Sequence, residues 1–207
     1  MQTEFYLIIG FFAAYLIGSI PTAVWFGRYF HGVDVREHGS GNAGATNTLR
    51  VLGVRAGIIV LLVDFLKGVG AIAVSAFFVN FFYLPDYFVV YQLILGIFAL
   101  LGHMFPVFAG FQGGKGVATL AGVVLAMFPE VFFVCLGVFM SVFLPTRYVS
   151  LGSITAAVAF PVFVIFVFKT DLLSKVIFSL LTAVILVLSH RKNIHRLFKG
   201  TEKKVFF

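Results

Sequence analysis

Residues 117–144 read VATLAGVVLAMF-PE-VFFVCLGVFMSVFL, two apolar runs that are separated only by Pro129 and Glu130. A helix needs about 20 apolar residues to cross a bilayer, at about 1.5 Å rise per residue. Both runs, Val117–Phe128 and Val131–Leu144, are shorter than that. Taken alone, they fit either one kinked helix or a pair of two short helices, and the choice decides on which side of the membrane the remaining chain lies.

The composition of the whole chain points to lipid as its main solvent. The protein has 207 residues, of which 61% are hydrophobic and 11% are charged, and it contains 28 phenylalanines. Soluble proteins average about 45–50% apolar and about 25% charged residues, so one soluble core of this size could not bury so much apolar surface. We therefore expect an all-α integral membrane protein. The other candidate spans are Phe5–Phe30, Gly57–Tyr83, Phe88–Phe108, Leu151–Phe168 and Leu172–Ser189.

The distribution of charge decides between the two alternatives for residues 117–144. If they cross twice, one side of the membrane holds Arg28, Arg36, Arg50, Arg55, Lys115, Arg147, Arg191, Lys192, Arg196, Lys199, Lys203 and Lys204. The other side then holds only Lys169 and Lys175, together with the acids Glu4, Asp86, Glu130 and Asp171. Because basic loops stay in the cytoplasm, this predicts seven transmembrane helices, two of them short, with the N-terminus outside and the C-terminus cytoplasmic. We expect residues 1–207 to form a single membrane-embedded domain, whose first span is a retained anchor and not a cleaved signal.

The first unusual segment on the predicted cytoplasmic side is REHGSGNAGATNTLR, residues 36–50, which we call loop A. Its glycines allow tight turns that present backbone N–H groups to an anion. Short polar side chains add further donors, at Ser40, Asn42, Thr46 and Asn47. This density of glycine and donors favours a functional loop over a flexible linker.

The second segment is GFQGGKGVAT, residues 110–119, which we call the glycine loop. It precedes the fourth span, so free N–H groups of its glycines, the positive end of the helix dipole and Lys115 could together hold a phosphate. The segment lacks the full G-x-x-x-x-G-K-[ST] spacing of an ATP-binding loop. ATPase chemistry is therefore not supported.

The third segment is SHRKNIHR, residues 189–196, which we call the terminal motif. If the last helix continues through it, His190 and Asn193 are three residues apart and share a face. A histidine there could donate a hydrogen bond to an oxyanion or a phosphate, or exchange a proton near neutral pH. The alternative is a plain basic end to the last span.

Two charged residues, Asp64 and Lys67, fall inside the second apolar run, where charges usually mark function or an internal pair. Structural pairing at this i, i+3 spacing and direct contact with substrate both remain open. His103, at the end of another span, is either a packing residue or a ligand. The sequence contains no G-x-S-x-G, no H-x-x-x-x-D, and no H-x-x-H or clustered carboxylates suited to a metal, so we expect no metal and no cofactor.

Together these segments resemble the acyl-phosphate-dependent glycerol-3-phosphate 1-O-acyltransferase family of bacterial membranes (PlsY-type). The resemblance covers nearly the whole chain and is carried by GSGNAGATN (39–47), DFLKG (64–68), GHMFP (102–106), GGKG (113–116) and HRKN (190–193). It implies transfer of a fatty acyl group from acyl-phosphate to the 1-hydroxyl of sn-glycerol 3-phosphate, giving lysophosphatidic acid and phosphate. This is the first step of phospholipid synthesis, at the cytoplasmic face of the bacterial inner membrane.

The resemblance also implies roles for individual residues. The catalytic residues would be Ser40, Arg50, His190 and Asn193. The substrate-binding residues would be Asn42, Thr46, Asn47, Lys67, Gly113, Gly114, Lys115 and Gly116. Ser40 could act as a hydrogen-bond donor or as a nucleophile, and we favour the donor because no base is evident beside it. The expected partners are acyl-phosphate, glycerol 3-phosphate and membrane lipid, with no nucleic acid; the enzyme that supplies acyl-phosphate is a candidate protein partner.

Two other functions compete with this interpretation. A transporter for a phosphorylated metabolite would need polar residues at the bilayer midplane on several spans, and the last five spans contain almost none. A structural or regulatory membrane subunit would have no need for three glycine-rich or basic segments on one face.

Overall fold

The computed structural model describes residues 2–81 and 85–206, and both ranges are almost entirely helical. Tyr83, the predicted end of the second span, lies outside the described residues, and the side chain of Glu4 is likewise not described. The α-helices in the described ranges are Gln2–Gly18 (α1), Thr22–His31 (α2), Ala45–Leu52 (α3), Val54–Ala73 (α4), Pro85–Met104 (α5), Val117–Met127 (α6), Pro129–Thr146 (α7), Val149–Val162 (α8), Leu173–Ser189 (α9) and Arg191–Phe198 (α10). Helix α4 continues as a 3₁₀ helix, Val74–Phe81, and α8 continues as a π-helical turn, Phe163–Val167.

The prediction of an all-helical membrane protein is confirmed. Among the described residues, four helical segments are long and apolar enough to cross a bilayer, and the number rises to six if each of two bent helix pairs is one span. Helix α6 is apolar but only 11 residues long. The count of seven spans and their orientation therefore remain predictions.

The first apolar run, predicted as one span, is a bent pair: α1 and α2 meet at 41°. Pro21 lies in the break and cannot donate a backbone hydrogen bond, which is the usual cause of such a kink. The carbonyl of Ile20 accepts a hydrogen bond from Lys67 Nζ at 3.0 Å. A buried side chain of α4 thus donates to a carbonyl in the break, which also accepts the Thr22 N–H at 3.0 Å.

Residues 117–144 form two separate helices, which is one of the two alternatives that the sequence left open. Phe128, between α6 and α7, has non-helical backbone angles (φ −144°, ψ 61°), and Pro129 begins α7, where its missing N–H is not needed. Helix α6 packs on α4 and α5, whereas α7 packs on α8.

The chain divides into two compact units, Met1–Met127 (unit 1) and Phe128–Phe207 (unit 2), and each is described by itself. In unit 1, glycines bring α4 and α6 into close contact. A Cβ at Gly68 would strike the backbone of Thr119, and one at Gly122 would strike the backbone of Phe65. Small residues at a helix interface are typical of membrane proteins, because they let two backbones approach.

In unit 2, α8 packs between α7 and α9, and the short α10 follows α9 at a 58° bend. The segment after α10 returns to the start of α8, where Val205 N donates to the Arg147 carbonyl at 2.9 Å. Val205 itself is buried. The prediction of one domain for residues 1–207 stays a prediction.

Candidate active site

The side-chain amide of Asn47 makes hydrogen bonds that fix the backbone of loop A. The Asn47 side chain is 2% exposed, and its Oδ1 accepts a 2.7 Å hydrogen bond from the backbone N–H of Ser40. Its Nδ2 donates to the carbonyls of Val35 and His38, at 2.7 Å and 3.1 Å. The amide is therefore used within the loop, and its contacts fix the backbone at Ser40.

Ser40 lies between two glycines in the left-handed region, Gly39 (φ 65°) and Gly41 (φ 73°). Residues with a Cβ rarely adopt this conformation. A Cβ at Gly39 would also strike Asn47 Oδ1. The result is a sharp turn that leaves Ser40 exposed.

The remaining predicted residues of loop A lie close to the start of α3 or on α3 itself. Thr46 and Arg50 are four residues apart on this helix, so they share a face. Both are half-buried, as is Asn42. The Asn42 side chain lies over Gly44, the residue that precedes α3.

Arg36 ties loop A to the segment that leads into the glycine loop. Its guanidinium donates to the Ala109 carbonyl at 2.8 Å and forms an ion pair with Asp34 at 2.8 Å. The Arg36 guanidinium beside Asp34 holds the pKa of that carboxyl well below its usual range, and Asp34 in turn raises the pKa of Arg36. The sequence analysis missed both contacts of Arg36; the Asp-x-Arg spacing was a signal for the ion pair with Asp34, and no local pattern indicates the contact with Ala109.

The glycine loop differs from its prediction in one respect. The N–H groups of Gly113 and Gly114 donate to the carbonyls of Met104 and His103, both at 3.2 Å. These two groups are therefore not free to hold a phosphate, and the prediction of a cradle of free amides is wrong for them. Lys115 follows, half-buried, and Gly116 (φ 85°) turns the chain into α6.

Asp64 and Lys67 form an i, i+3 ion pair, as the structural alternative requires, while contact of Lys67 with substrate stays a prediction. Lys67 Nζ lies 2.9 Å from Asp64 Oδ1, and both side chains are buried. The Thr22 hydroxyl of α2 donates to the same carboxylate oxygen at 3.0 Å. The pair therefore connects α4 to the break between α1 and α2, through Thr22 and the Ile20 carbonyl.

His103 connects this pair to the glycine loop. Its Nδ1 shares a 3.1 Å hydrogen bond with Thr119 Oγ1 and lies 3.8 Å from Asp64 Oδ1. Its Nε2 lies against Gly114, where a Cβ would strike the ring and would come within 3.2 Å of the Ala43 carbonyl of loop A. Loop A, the glycine loop and His103 thus meet at Gly114.

The terminal motif belongs to unit 2, where His190 ends α9 and begins α10. Its ring is 2% exposed, and Nδ1 lies 2.8 Å from the Leu186 carbonyl. A carbonyl can only accept, so this contact places a proton on Nδ1. In the neutral ring Nε2 is then the acceptor nitrogen.

Asn193 is held by a carboxylate that the sequence analysis missed. Asn193 Nδ2 donates to Glu202 Oε1 at 2.7 Å, and Arg196 Nε donates to Oε2 at 2.7 Å. Burial alone would raise the pKa of Glu202, but hydrogen bonds from Arg196, Asn193 and Ser150 together lower it. Within the described residues, Asn193 Oδ1 is buried without a hydrogen-bond partner.

Comparison with known proteins identifies the family. A family model described as glycerol-3-phosphate acyltransferase matches residues 8–200. The chain belongs to this family. A glycerol-3-phosphate acyltransferase of Salinibacter ruber is 47% identical, over 93% of this chain and 89% of the relative.

Two solved structures of the integral membrane acyltransferase PlsY share the fold. The glycerol 3-phosphate form has a TM-score of 0.84 and 35% identity, and the lysophosphatidic acid form has 0.82 and 36%. Both alignments cover 97% of this chain and 96% of the solved chain. The protein is accordingly an integral, multi-pass membrane acyltransferase.

In this acyltransferase, unit 1 brings together most of the predicted site residues. Loop A touches the glycine loop at Gly114 and the segment before it at Ala109. His190 and Asn193 lie together in unit 2, where the 190–193 spacing places them on one turn. Among the residues that the structure describes, no group of three or more histidine, cysteine or acidic side chains could hold a metal ion.

Proposed function

We propose that this glycerol-3-phosphate acyltransferase uses acyl-phosphate as its donor and acylates the 1-hydroxyl of sn-glycerol 3-phosphate. The products are lysophosphatidic acid and inorganic phosphate, and no cofactor takes part. The observation that carries the proposal is the junction of loop A with the glycine loop at Gly114. It joins the segment of Ser40 and Arg50 to the segment of Lys115, as a reaction between two phosphate-bearing substrates requires.

The reaction is a substitution at the acyl carbon. The glycerol oxygen forms a bond to that carbon, the bond from the carbon to the phosphate oxygen breaks, and the hydroxyl proton leaves with phosphate or solvent. Acyl-phosphate is a mixed anhydride with a good leaving group, so strong base catalysis is not required. Catalysis then comes mainly from holding two anions side by side and from donors aimed at the developing oxyanion.

We assign the cationic and hydroxyl groups of unit 1 to this task. Lys115 of the glycine loop binds the phosphate of glycerol 3-phosphate, Arg50 neutralises further phosphate charge, and Ser40 donates a hydrogen bond to the oxyanion. In the described part of the chain, no hydrogen bond joins Ser40 Oγ to a histidine or a carboxylate, which supports a donor over a nucleophile. Trapping an acyl group on Ser40 would contradict that choice.

His190 and Asn193 orient the glycerol hydroxyl in this proposal. In this proposal the His190 imidazole binds the hydroxyl, and the 2.8 Å contact of its Nδ1 with the Leu186 carbonyl fixes the orientation of the ring. The buried Oδ1 of Asn193 needs a donor, which a substrate hydroxyl can supply.

The other proposed substrate-binding residues fall into two groups. In this proposal Asn42, Thr46 and Gly116 offer hydrogen-bond donors to substrate. Four more shape the site through contacts with their neighbours in the protein: Asn47, Lys67, Gly113 and Gly114.

We further propose seven spans, an external N-terminus and a site that faces the cytoplasm of a bacterium, at its inner membrane. The asymmetry of basic residues supports this orientation. The enzyme that supplies acyl-phosphate is the expected protein partner. Labelling of Lys115 by a membrane-impermeant reagent applied only from outside intact cells would contradict the orientation.

The test uses the purified protein in liposomes with acyl-phosphate and labelled glycerol 3-phosphate. We expect labelled lysophosphatidate, with a large loss of product for Lys115→Ala and for His190→Ala. Lys169→Ala is the matched control and should retain activity, because Lys169 follows α8 at a distance from all three motifs in sequence. Entry of label into the liposomes without product would favour the transporter instead.

A further inference from the structure

We propose that His103 is a positioning residue that sets where the glycine loop lies against loop A. Its imidazole is clamped on one side by Thr119 and the Asp64–Lys67 pair, and it supports Gly114 on the other. The inference rests on the proposed function, in which the glycine loop binds glycerol 3-phosphate. It assigns a role to buried ionisable groups that the reaction itself does not use.

On the loop side, His103 makes two contacts with the same residue. Its carbonyl accepts the N–H of Gly114 at 3.2 Å, and its Nε2 lies against the Gly114 Cα. A Cβ at this position would strike the ring and approach the Ala43 carbonyl, which accounts for glycine here. The loop is thus packed between the imidazole and loop A, one residue before Lys115.

On the opposite side, the ring is held by buried polar groups. Thr119 is 0% exposed, and its hydroxyl shares the 3.1 Å hydrogen bond with His103 Nδ1. Asp64 Oδ1 lies 3.8 Å from the same nitrogen and is itself fixed by Lys67 and by the Thr22 hydroxyl. Three helices and the break in the first span therefore converge on one imidazole nitrogen.

The energetics argue that this network does more than stabilise the fold. A buried ion pair pays a desolvation cost that often equals its Coulombic gain, so apolar residues could fill the same space at no loss of stability. What the polar network adds is a defined ring orientation. Binding sites need such support, because small displacements of binding groups reduce affinity and rate.

Loss of the contacts that Thr119 and Asp64 make with the His103 ring should therefore weaken the binding of one substrate more than that of the other. If the ring moves, the glycine loop and Lys115 move with it, and glycerol 3-phosphate binds less tightly. The KM for acyl-phosphate should stay unchanged. A general loss of folded protein would instead lower kcat and leave both KM values as they were.

Thr119→Val is the sharpest variant, because Val has nearly the shape of Thr and removes only the hydroxyl. We expect the KM for glycerol 3-phosphate to rise about two- to tenfold, the range that corresponds to one lost neutral hydrogen bond. Thr119→Ser keeps the hydroxyl and should restore the wild-type value. Thr182→Val is the matched control: Thr182 is also 0% exposed, but its hydroxyl donates to the Phe178 carbonyl of its own helix.

A double-mutant cycle tests whether Thr119 affects glycerol 3-phosphate binding through His103 or through packing that does not involve His103. If Thr119 acts through His103, Thr119→Val should add no further rise in KM to that of His103→Gln. Additive effects would contradict the inference.

Lys115→Ala distinguishes the inference from the function on which it rests. An unchanged KM for glycerol 3-phosphate in Lys115→Ala would overturn the proposed role of the loop, and the inference with it. A raised KM in Lys115→Ala, together with wild-type KM values in folded Thr119→Val and His103→Gln, would overturn the inference alone.

Discussion

The side-chain amide of Asn193 donates a 2.7 Å hydrogen bond to Glu202, nine residues further along the chain. The same carboxylate oxygen accepts a hydrogen bond from the Ser150 hydroxyl of α8 at 2.9 Å, and the other oxygen accepts from Arg196. One buried carboxylate thus fixes α10 to α8. The other atom of that amide, Asn193 Oδ1, is buried without a hydrogen-bond partner among the described residues.

Replacing Glu202 by Gln should destabilise unit 2 and lower the rate. The Gln amide retains one acceptor oxygen, so the bonds to Asn193 and Arg196 cannot both persist. Because hydrogen bonds to charged groups contribute about 1.5–3 kcal/mol, we expect a loss of that size in the free energy of unfolding. Denaturant unfolding of the purified protein measures it. Glu37→Gln, at an exposed position, is the control, and equal stability of the two variants would count against this account.

Stability should fall in acid because two carboxyl groups have lowered pKa values. Asp34 is held below its usual pKa by Arg36, and Glu202 by its hydrogen-bond donors, which outweigh the effect of burial. A lowered pKa contributes stability above the unfolded pKa, and this contribution is lost as the pH falls through the folded one. We expect their contribution to be constant above about pH 5 and to decline below about pH 4. In the Asp34→Asn variant the decline should be smaller; an identical decline would show that Asp34 does not contribute.

Arg36→Lys should weaken the binding of glycerol 3-phosphate indirectly. Arg36 acts through its contacts with Asp34 and Ala109 and not through contact with the substrate. Lysine keeps the charge but cannot bind Asp34 with two nitrogens while also donating to the Ala109 carbonyl. We expect the KM for glycerol 3-phosphate to rise by about tenfold or more, because the loss of one hydrogen bond to a charged group costs about 1.5–3 kcal/mol. Steady-state kinetics with Arg55→Lys, an exposed arginine outside loop A, provides the comparison. Equal KM values for glycerol 3-phosphate in the two variants would show that the contact of Arg36 with Ala109 does not position the glycine loop.

Asn47→Asp should lower kcat because a carboxylate oxygen cannot donate the two hydrogen bonds that Asn47 Nδ2 makes. The new oxygen would face the carbonyls of Val35 and His38, to which Asn47 Nδ2 now donates. Loop A would then shift at Ser40, and we expect kcat to fall about tenfold or more, since misplaced catalytic groups are costly. Asn80→Asp, at an exposed position, should leave kcat unchanged. Retention of wild-type kcat by a folded Asn47→Asp protein would exclude the role that we assign to Asn47.

Much of the fold and the candidate site follows from local sequence. Apolar runs placed the helices to within a few residues, and the pairing of Asp64 with Lys67 follows from their i, i+3 spacing. The division of residues 117–144 into two helices was expected from the distribution of charge, and Pro129 begins the second helix. These features depend on neighbours in the chain, which is why a sequence pattern can predict them.

The contacts that hold the site together depend on residues far apart in sequence, and they were not predicted. Arg36 reaches Ala109 across 73 residues, and Ser150 reaches Glu202 across 52. The backbone N–H groups of Gly113 and Gly114 were expected to be free. Instead, they donate hydrogen bonds to the carbonyls of Met104 and His103. The bend at Pro21 was also missed, because the hydropathy of Phe5–Phe30 is continuous across the bend.

The choice of donor tests the central claim most directly. Purified protein in liposomes would receive labelled glycerol 3-phosphate with either acyl-phosphate or acyl-CoA of the same chain length. If the site binds a simple phosphate, acyl-phosphate should support rapid formation of lysophosphatidate and acyl-CoA should be a poor substitute. Equal rates with the two donors would contradict the account.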